Sequence, residues 1–193
     1  MATTQHNETA NRILDVAEQY TQTRGFNAFS YKDIQKSVGV KTSSIHYYFP
    51  TKQDLALAMV ERYIERFSGA LAGIDQKYSK ASDRLKAMGQ IFVDVAREEK
   101  LCLCGMLTSD ILSLPQEGIY ELRLFFKDLE KWIMDTITKG IEDGDIKSSI
   151  QAETAALHLL AALEGGGLIA RTRREAGYMS VVLEEALSHL VKG

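Results

Sequence analysis

At 193 residues, 45% hydrophobic and with a formal net charge of −3, the chain can bury roughly 70% of its unfolded surface and needs no metal or disulfide to hold a core. The N-terminus Met1-Ala-Thr-Thr-Gln-His lacks the basic start and apolar middle of a secretion signal, and no stretch reaches about 18 apolar residues. Cys102 and Cys104 are too close in sequence for a disulfide framework and fit a reducing, cytoplasmic setting.

Only two prolines are present, and apolar residues recur at three-and-four spacing in nearly every segment. That pattern predicts an all-α chain. Residues 1–8 read as a polar tail with no Lys or Arg before Arg12. In the first helix Ile13, Ala17 and Tyr20 form the inner stripe, with Leu14 and Val16 beside them, and Gly25 stops it.

Ser30 can cap a second helix, with Asp33 three residues on completing a capping box, and Ile34 and Val38 share one face. Gly39 follows, where a left-handed backbone is cheapest without a Cβ, and Val40 offers an apolar plug between crossed helices. A short helix then runs from Lys41 or Thr42 to Phe49. Ile45 and Phe49 lie on its inner side, and Thr42, Ser43, His46 and Tyr47 face out. Two helices joined by so short a break form a helix-turn-helix. The outward hydroxyls, imidazole and phenol suit a major groove, where they reach base edges or phosphates.

Pro50 ends the short helix. Thr51 with Asp54 makes a second capping box, placing Lys52 and free backbone N–H groups at a helix start that could hold a phosphate. Between Arg24 and Lys52 five cations oppose Asp33 alone, a local +4, so the remainder carries −7. Positive charge is therefore concentrated where phosphates would sit.

The Ile13-to-Tyr20 helix followed by Arg24-Gly25-Phe26, then Ser30-Tyr-Lys-Asp-Ile, Val38-Gly-Val, Ile45-His-Tyr-Tyr-Phe and Thr51-Lys-Gln-Asp-Leu55, resembles the DNA-binding domain of the TetR family of transcriptional regulators. The match covers roughly residues 10–60; the rest matches in helical layout. The resemblance implies a three-helix DNA-binding domain over residues 1–52, continuing into the next helix, and a helical ligand-binding and dimerisation domain over 53–193, about nine helices in all. DNA contacts are expected from Ser30, Tyr31, Lys41, Thr42, Ser43, His46, Tyr47 and Lys52. Family members often carry Ser-Lys-Gly or Ser-Lys-Ala where this chain has Lys41-Thr42-Ser43, a departure that bears on base preference.

A long helix from Lys52 to about Ala72 carries Ala56, Val60, Tyr63 and Phe67 in one stripe, long enough to act as a lever into the next domain. Gly73 and Asp75 to Ser82 read as a polar linker. Further helices span Ser82 to Lys100, with Leu85, Met88, Phe92 and Val95 inward, and Gln116 to about Gly140, with Phe125 and Trp132 as a second aromatic line. Between them lies the short apolar Leu101–Leu107 segment. In one branch of the family a Cys-Leu-x-Gly motif sits there, which Cys102-Leu103-Cys104-Gly105 resembles.

From about Ser149 to Ala176 runs a helix apolar on two sides, which needs two neighbours. Gly165-Gly-Gly167 predicts close approach of another backbone. The last helix is Tyr178 to Leu190. Pairing of these two helices with a second copy, as the resemblance implies, would use Leu163, Gly166, Gly167, Ala170, Val182 and Ala186. The family layout places a ligand cavity near Phe67, Phe92, Cys102, Met106, Phe125, Trp132 and His158. His158 and Glu164 are the polar interruptions of the apolar helix.

The function implied is a homodimeric repressor released from a palindromic double-stranded DNA operator by a small-molecule effector, with no cofactor, metal or membrane. A helical-bundle enzyme would need Glu-x-x-His pairs or a Ser/His/Asp cluster, and neither is present. The alternatives are a redox- or electrophile-sensing regulator acting through Cys102 and Cys104, and a helical ligand-binding protein without DNA binding.

Overall fold

The computed structural model describes residues 2–175 and 177–191; for residues 2–7 it describes the backbone alone. Nine α-helices occur among the described residues: α1 (Ala2–Arg24), α2 (Tyr31–Val38), α3 (Thr42–Tyr48), α4 (Lys52–Lys77), α5 (Ala81–Arg97), α6 (Leu103–Ser109), α7 (Gln116–Glu142), α8 (Ala152–Arg173) and α9 (Tyr178–Ser188). Single 3₁₀ turns at Phe26–Ala28 and Ile111–Ser113 interrupt the loops. One isolated antiparallel bridge joins Ile146 to Val191. The all-α class follows from the helical apolar period.

The chain divides into two compact units. One comprises the residues up to Glu65 together with Leu103–Arg123, and the other Arg66–Cys102 together with the residues from Leu124 on. The sequence suggested a division near residue 52; the contacts divide the chain after Glu65 and return 103–123 to the first unit.

In the first unit Ile13, Ala17, Ile34, Val38, Ile45, Phe49, Leu55, Ala56 and Met59 are buried together with Phe26 and Phe29. These are the inner stripes of α1 to α4 meeting in one core. Arg12 Nη2 donates to Val38 O at 2.6 Å, satisfying a carbonyl left open at the end of α2. Arg62 on α4 pairs with Asp15 at 2.7 Å and Glu18 at 3.0 Å on α1.

In the second unit α8 packs on α9, and α5 packs on both. Small residues allow the approach. A Cβ at Gly89 of α5 would lie 2.2 Å from Leu183 Cδ1, and one at Gly166 of α8 would lie 3.0 Å from Met179 Sδ and 3.1 Å from Val182 Cγ1. Gly166 thus meets α9 closely, but through the Met179 and Val182 side chains rather than through another backbone, and nothing described lies within 4 Å of a Cβ at Gly165. Ser82 N and Oγ donate to Asp145 at 2.7 and 2.9 Å, tying the start of α5 to the loop after α7.

Several boundaries differ from the sequence reading. Helix α1 begins at Ala2, because nothing in residues 2–8 is a helix breaker. Gly73 does not end α4, which continues to Lys77, so the connection to α5 is only residues 78–80. An isolated glycine costs a helix at most about 1 kcal/mol, which the flanking turns outweigh. The Leu101–Leu107 segment is partly the helix α6. Helix α8 ends at Arg173; the expected end at Ala176 lies outside the described residues.

Candidate nucleic-acid interface

Helix α2 starts in a capping box: Ser30 N and Oγ donate to Asp33 Oδ2 at 2.8 and 2.7 Å. The Ser30 hydroxyl, then its backbone N–H, hold the Asp33 carboxyl below its usual range. Gly39, at φ 75° and ψ 26°, closes α2 with its N–H on Gln35 O. A left-handed residue here turns the chain sharply enough for α3 to start at Thr42. Ile45 is fully buried and Phe49 nearly so, which seats α3 by its inner side.

The outer side of α3 is left open. Lys41, Ser43, His46 and Tyr47 are exposed and Thr42 is half-buried. The Thr42 hydroxyl donates to Gln35 Oε1 at 2.5 Å, bridging the two helices of the motif. Tyr47 is 70% exposed and meets Tyr48 edge-on, with ring centroids 5.1 Å apart. A large aromatic this open on a scaffolded helix suits a partner that covers it. Ser30 is exposed at the start of α2.

Two of the expected contact residues turn their polar groups inward. Tyr31 donates its hydroxyl toward Phe49 O (2.8 Å) and Thr51 O (2.5 Å), the two carbonyls that flank Pro50 between α3 and α4. Burial, and then the Asp54 charge, push its phenol up to about 12. Lys52 was expected to offer its ammonium to a phosphate. Instead Nζ donates to Phe26 O and Phe29 O at 2.5 and 2.6 Å and lies 4.5 and 4.4 Å from the centres of the Phe26 and Phe29 rings. Burial lowers its pKa, against the opposing pull of Asp110 and Asp33. A carbonyl pair and two ring faces solvate the cation within the first unit. The second capping box forms as spaced, with Thr51 N and Oγ1 on Asp54 Oδ2 at 2.8 and 2.7 Å and Asp54 N on Thr51 Oγ1 at 3.1 Å.

Gln35 and Asp110 were not singled out from the sequence. Gln35 lies seven residues before Thr42, across a turn whose geometry sets the pairing. Asp110 lies more than 80 residues from its partners Phe26 and Asn27, a separation no local pattern encodes.

Within the second unit Phe67, Phe92 and Phe125 form a buried cluster, with Phe67 at 6.2 Å from Phe92 and 5.2 Å from Phe125, both edge-on. Trp132 is half-buried and donates Nε1–H to Asp75 Oδ2 at 3.0 Å. Cys102 is buried beside Glu164 of α8. Glu164 Oε1 is fully buried without a hydrogen-bond partner among the described residues. Burial first, then the Cys102 thiol, push the Glu164 carboxyl up to about 9. Met106 and Cys104 belong to the first unit. His158 is exposed, so α8 turns it away from the inner cluster.

The residues expected to meet a second copy are largely used within the chain. Leu163, Gly166 and Ala170 are buried, Val182 lies over Gly166, and Gly167 lies against Leu101, whose Cδ2 would be 3.4 Å from a Cβ there. Ala186 is half-buried. The apolar side that α8 and α9 leave open is another one: Leu157, Leu168, Ile169 and Val181 are exposed.

A short helix held by its apolar side across a left-handed glycine turn, its other side bearing hydroxyls, imidazole and phenol, defines a helix-turn-helix DNA-binding transcriptional regulator. The model of bacterial regulatory proteins of the tetR family matches residues 13–59. A TetR transcriptional regulator from Legionella pneumophila is 30% identical, with a TM-score of 0.81 over 93% of this chain and 95% of that one. A TetR-family regulator from Agrobacterium tumefaciens is 27% identical, with a TM-score of 0.91 over 97% of this chain and 100% of that one. An HTH-type regulator of Lactococcus lactis subsp. lactis is 23% identical over 86% of this chain and 85% of its own length. The chain belongs to the TetR family of transcriptional regulators, and it is not an enzyme. No helix among the described residues is long and apolar enough to cross a membrane.

Proposed function

We propose that the protein is a homodimeric, cytoplasmic repressor that is released from a palindromic operator when a small molecule binds its second unit. The observation that carries the DNA half of this reading is the open face of α3, with Ser43, His46 and Tyr47 exposed over a fully buried Ile45. Two such helices about 34–36 Å apart would enter successive major grooves.

Dimerisation is supported by the uncovered apolar side of α8 and α9, where Leu168 is 56% and Val181 63% exposed. Like faces on two copies form an isologous contact. The effector half is supported by Glu164, whose buried Oε1 has no hydrogen-bond partner among the described residues, since an orphaned buried polar atom calls for a partner from elsewhere. Effector binding that favours a wider spacing of the two α3 helices would weaken DNA binding about 5- to 150-fold. The thiols favour this over redox sensing: both are buried, and a buried thiol is out of reach of oxidants and electrophiles.

The test is selection of DNA from a random duplex library by the full chain, followed by gel shifts across a salt series. A palindromic sequence bound with a steep salt dependence is the expected result. Recovery of no preferred sequence at low salt would sink the reading.

A further inference from the structure

We infer that His46 is a specificity residue that reads an amino-bearing base, adenine or cytosine, through its Nε2 as a hydrogen-bond acceptor. This rests on the reading of α3 as the recognition helix and adds to it the kind of base edge that the helix reads.

The ring's state follows from its neighbours. His46 Nδ1 lies 3.1 Å from Pro50 O. A carbonyl oxygen only accepts, so Nδ1 must carry the proton. In a neutral imidazole the other nitrogen is then a bare lone pair. The ring is also held in place, since its centroid lies 4.8 Å from that of Tyr31 at an interplanar angle of 60°. Tyr31 is itself fixed by its hydroxyl on Phe49 O and Thr51 O. His46 is exposed and makes no other hydrogen bond with the described residues. In its neutral form the fixed ring, with its proton on Nδ1, therefore presents one acceptor, Nε2.

In the major groove adenine offers N6–H and cytosine N4–H as donors, whereas guanine offers N7 and O6 and thymine offers O4, all acceptors. An acceptor facing those edges gains nothing and stays unpaired once water is excluded. The cations on this part of the motif do not replace Nε2 in that role. Lys41 lies at the other end of α3, and Lys52 has its ammonium on the Phe26 and Phe29 carbonyls.

The experiment uses the full chain and the operator recovered from a random duplex library. At each half-site position adenine is replaced by purine, which lacks N6, or cytosine by 2-pyrimidinone, which lacks N4. The expected result is one symmetric position at which removing the amino group weakens wild-type binding roughly 5- to 150-fold, the cost of a buried acceptor left unpaired. There His46→Phe binds the intact and the amino-less operator equally. Preferences at the other positions persist in the variant. Because the modified bases are tested on the wild-type chain, a folding defect in the variant cannot mimic the result. If His46→Phe instead weakens every sequence alike and flattens the salt dependence, His46 contacts a phosphate and the inference falls. It falls also if the position that depends on His46 is guanine or thymine. Selection of no sequence would overturn the recognition-helix reading itself.

Discussion

Asp110 holds the turn at Phe26: its Oδ2 accepts the Phe26 backbone N–H at 2.9 Å, and its Oδ1 accepts the Asn27 side-chain amide at the same distance. Asn27 Nδ2 also reaches Ser113 Oγ at 3.0 Å. Gly25, at φ 100°, opens this turn, and a Cβ there would lie 3.6 Å from Asp110 Oδ2 and 3.7 Å from Met106 Cε. A segment remote in sequence therefore closes the loop between α1 and α2. Replacing Asp110 by Ala would leave the Phe26 N–H without a protein acceptor, and a loss of about 1–3 kcal/mol in unfolding free energy is expected. Urea denaturation of the variant gives the value, and an unchanged midpoint would show that water takes over the role.

Lys52 and Lys41 separate a structural cation from one available to DNA. Lys52→Met removes two charge-assisted bonds to carbonyls and two ring contacts, so it should lower stability by about 1–3 kcal/mol. It should leave the salt slope of DNA binding unchanged. The ammonium of the exposed Lys41 is expected on a phosphate, so Lys41→Gln should keep stability and reduce the slope by about 1.8, about 0.9 for each copy of the dimer. Measuring log K against log salt for both variants distinguishes them. A reduced slope in the Lys52 variant would mean that the ammonium leaves its carbonyls to meet DNA.

These two lysines also mark what was legible in the sequence. Capping boxes at Ser30 and Thr51, the Gly39 turn and the buried stripe of Ile34, Val38, Ile45 and Phe49 follow from local spacing, because their partners lie within one or two turns. Lys52 could not be placed that way, since it is held by Phe26 and Phe29, which precede it by 26 and 23 residues. Asp110 is a more distant case of the same kind. In the second unit the width of the apolar surface of α8 was readable. Which stripe α9 and α5 would cover was not, because two adjacent stripes of similar hydrophobicity differ only in what packs on them. Gly166 went to α9, and Leu168 was left outside.

Two glycines in long helices should respond oppositely to alanine. A Cβ at Gly140 of α7 would lie 2.6 Å from Ala81 Cβ and 2.8 Å from Ile146 Cδ1. Ala81 Cβ is fixed to its backbone, so the helix must move, and Gly140→Ala should cost about 1–3 kcal/mol. Among the described residues nothing lies within 4 Å of the same atom at Gly73 of α4. Gly73→Ala should therefore gain about 0.5–1 kcal/mol from helix propensity alone. Thermal melts of the two variants give the signs; destabilisation by both would mean that α4 needs flexibility at Gly73.

The open side of α8 and α9 predicts how the dimer can be broken. Leu168→Glu together with Val181→Glu puts two charges where an isologous partner would bury apolar side chains, each 56% and 63% exposed in the single chain. The monomer fold should tolerate both, while association is lost. Sedimentation equilibrium should report a single chain in place of a pair, with helical content unchanged. The expected interface residues Leu163 and Gly166 act differently, because they are packed within the chain and charged substitutions there should unfold it.

Glu164 gives the second unit a pH-dependent stability whose sign is fixed by its burial. The free carboxyl titrates near 4.5, and in the fold burial and the Cys102 thiol push it up to about 9. Below the lower value both states carry the proton and the group contributes no pH dependence. Between the two values the folded chain keeps the proton and the unfolded chain has released it, so rising pH favours unfolding. The slope approaches about 1.4 kcal/mol per pH unit for one group. Glu164→Gln removes the titration and keeps the shape, so the variant should gain on wild type as pH rises from about 5 to about 8. Urea unfolding at several pH values measures the difference. A gap between the two proteins that stays constant over that range would mean that Glu164 is solvated or paired in solution, and with it would go the support that its orphaned oxygen lends to an effector site.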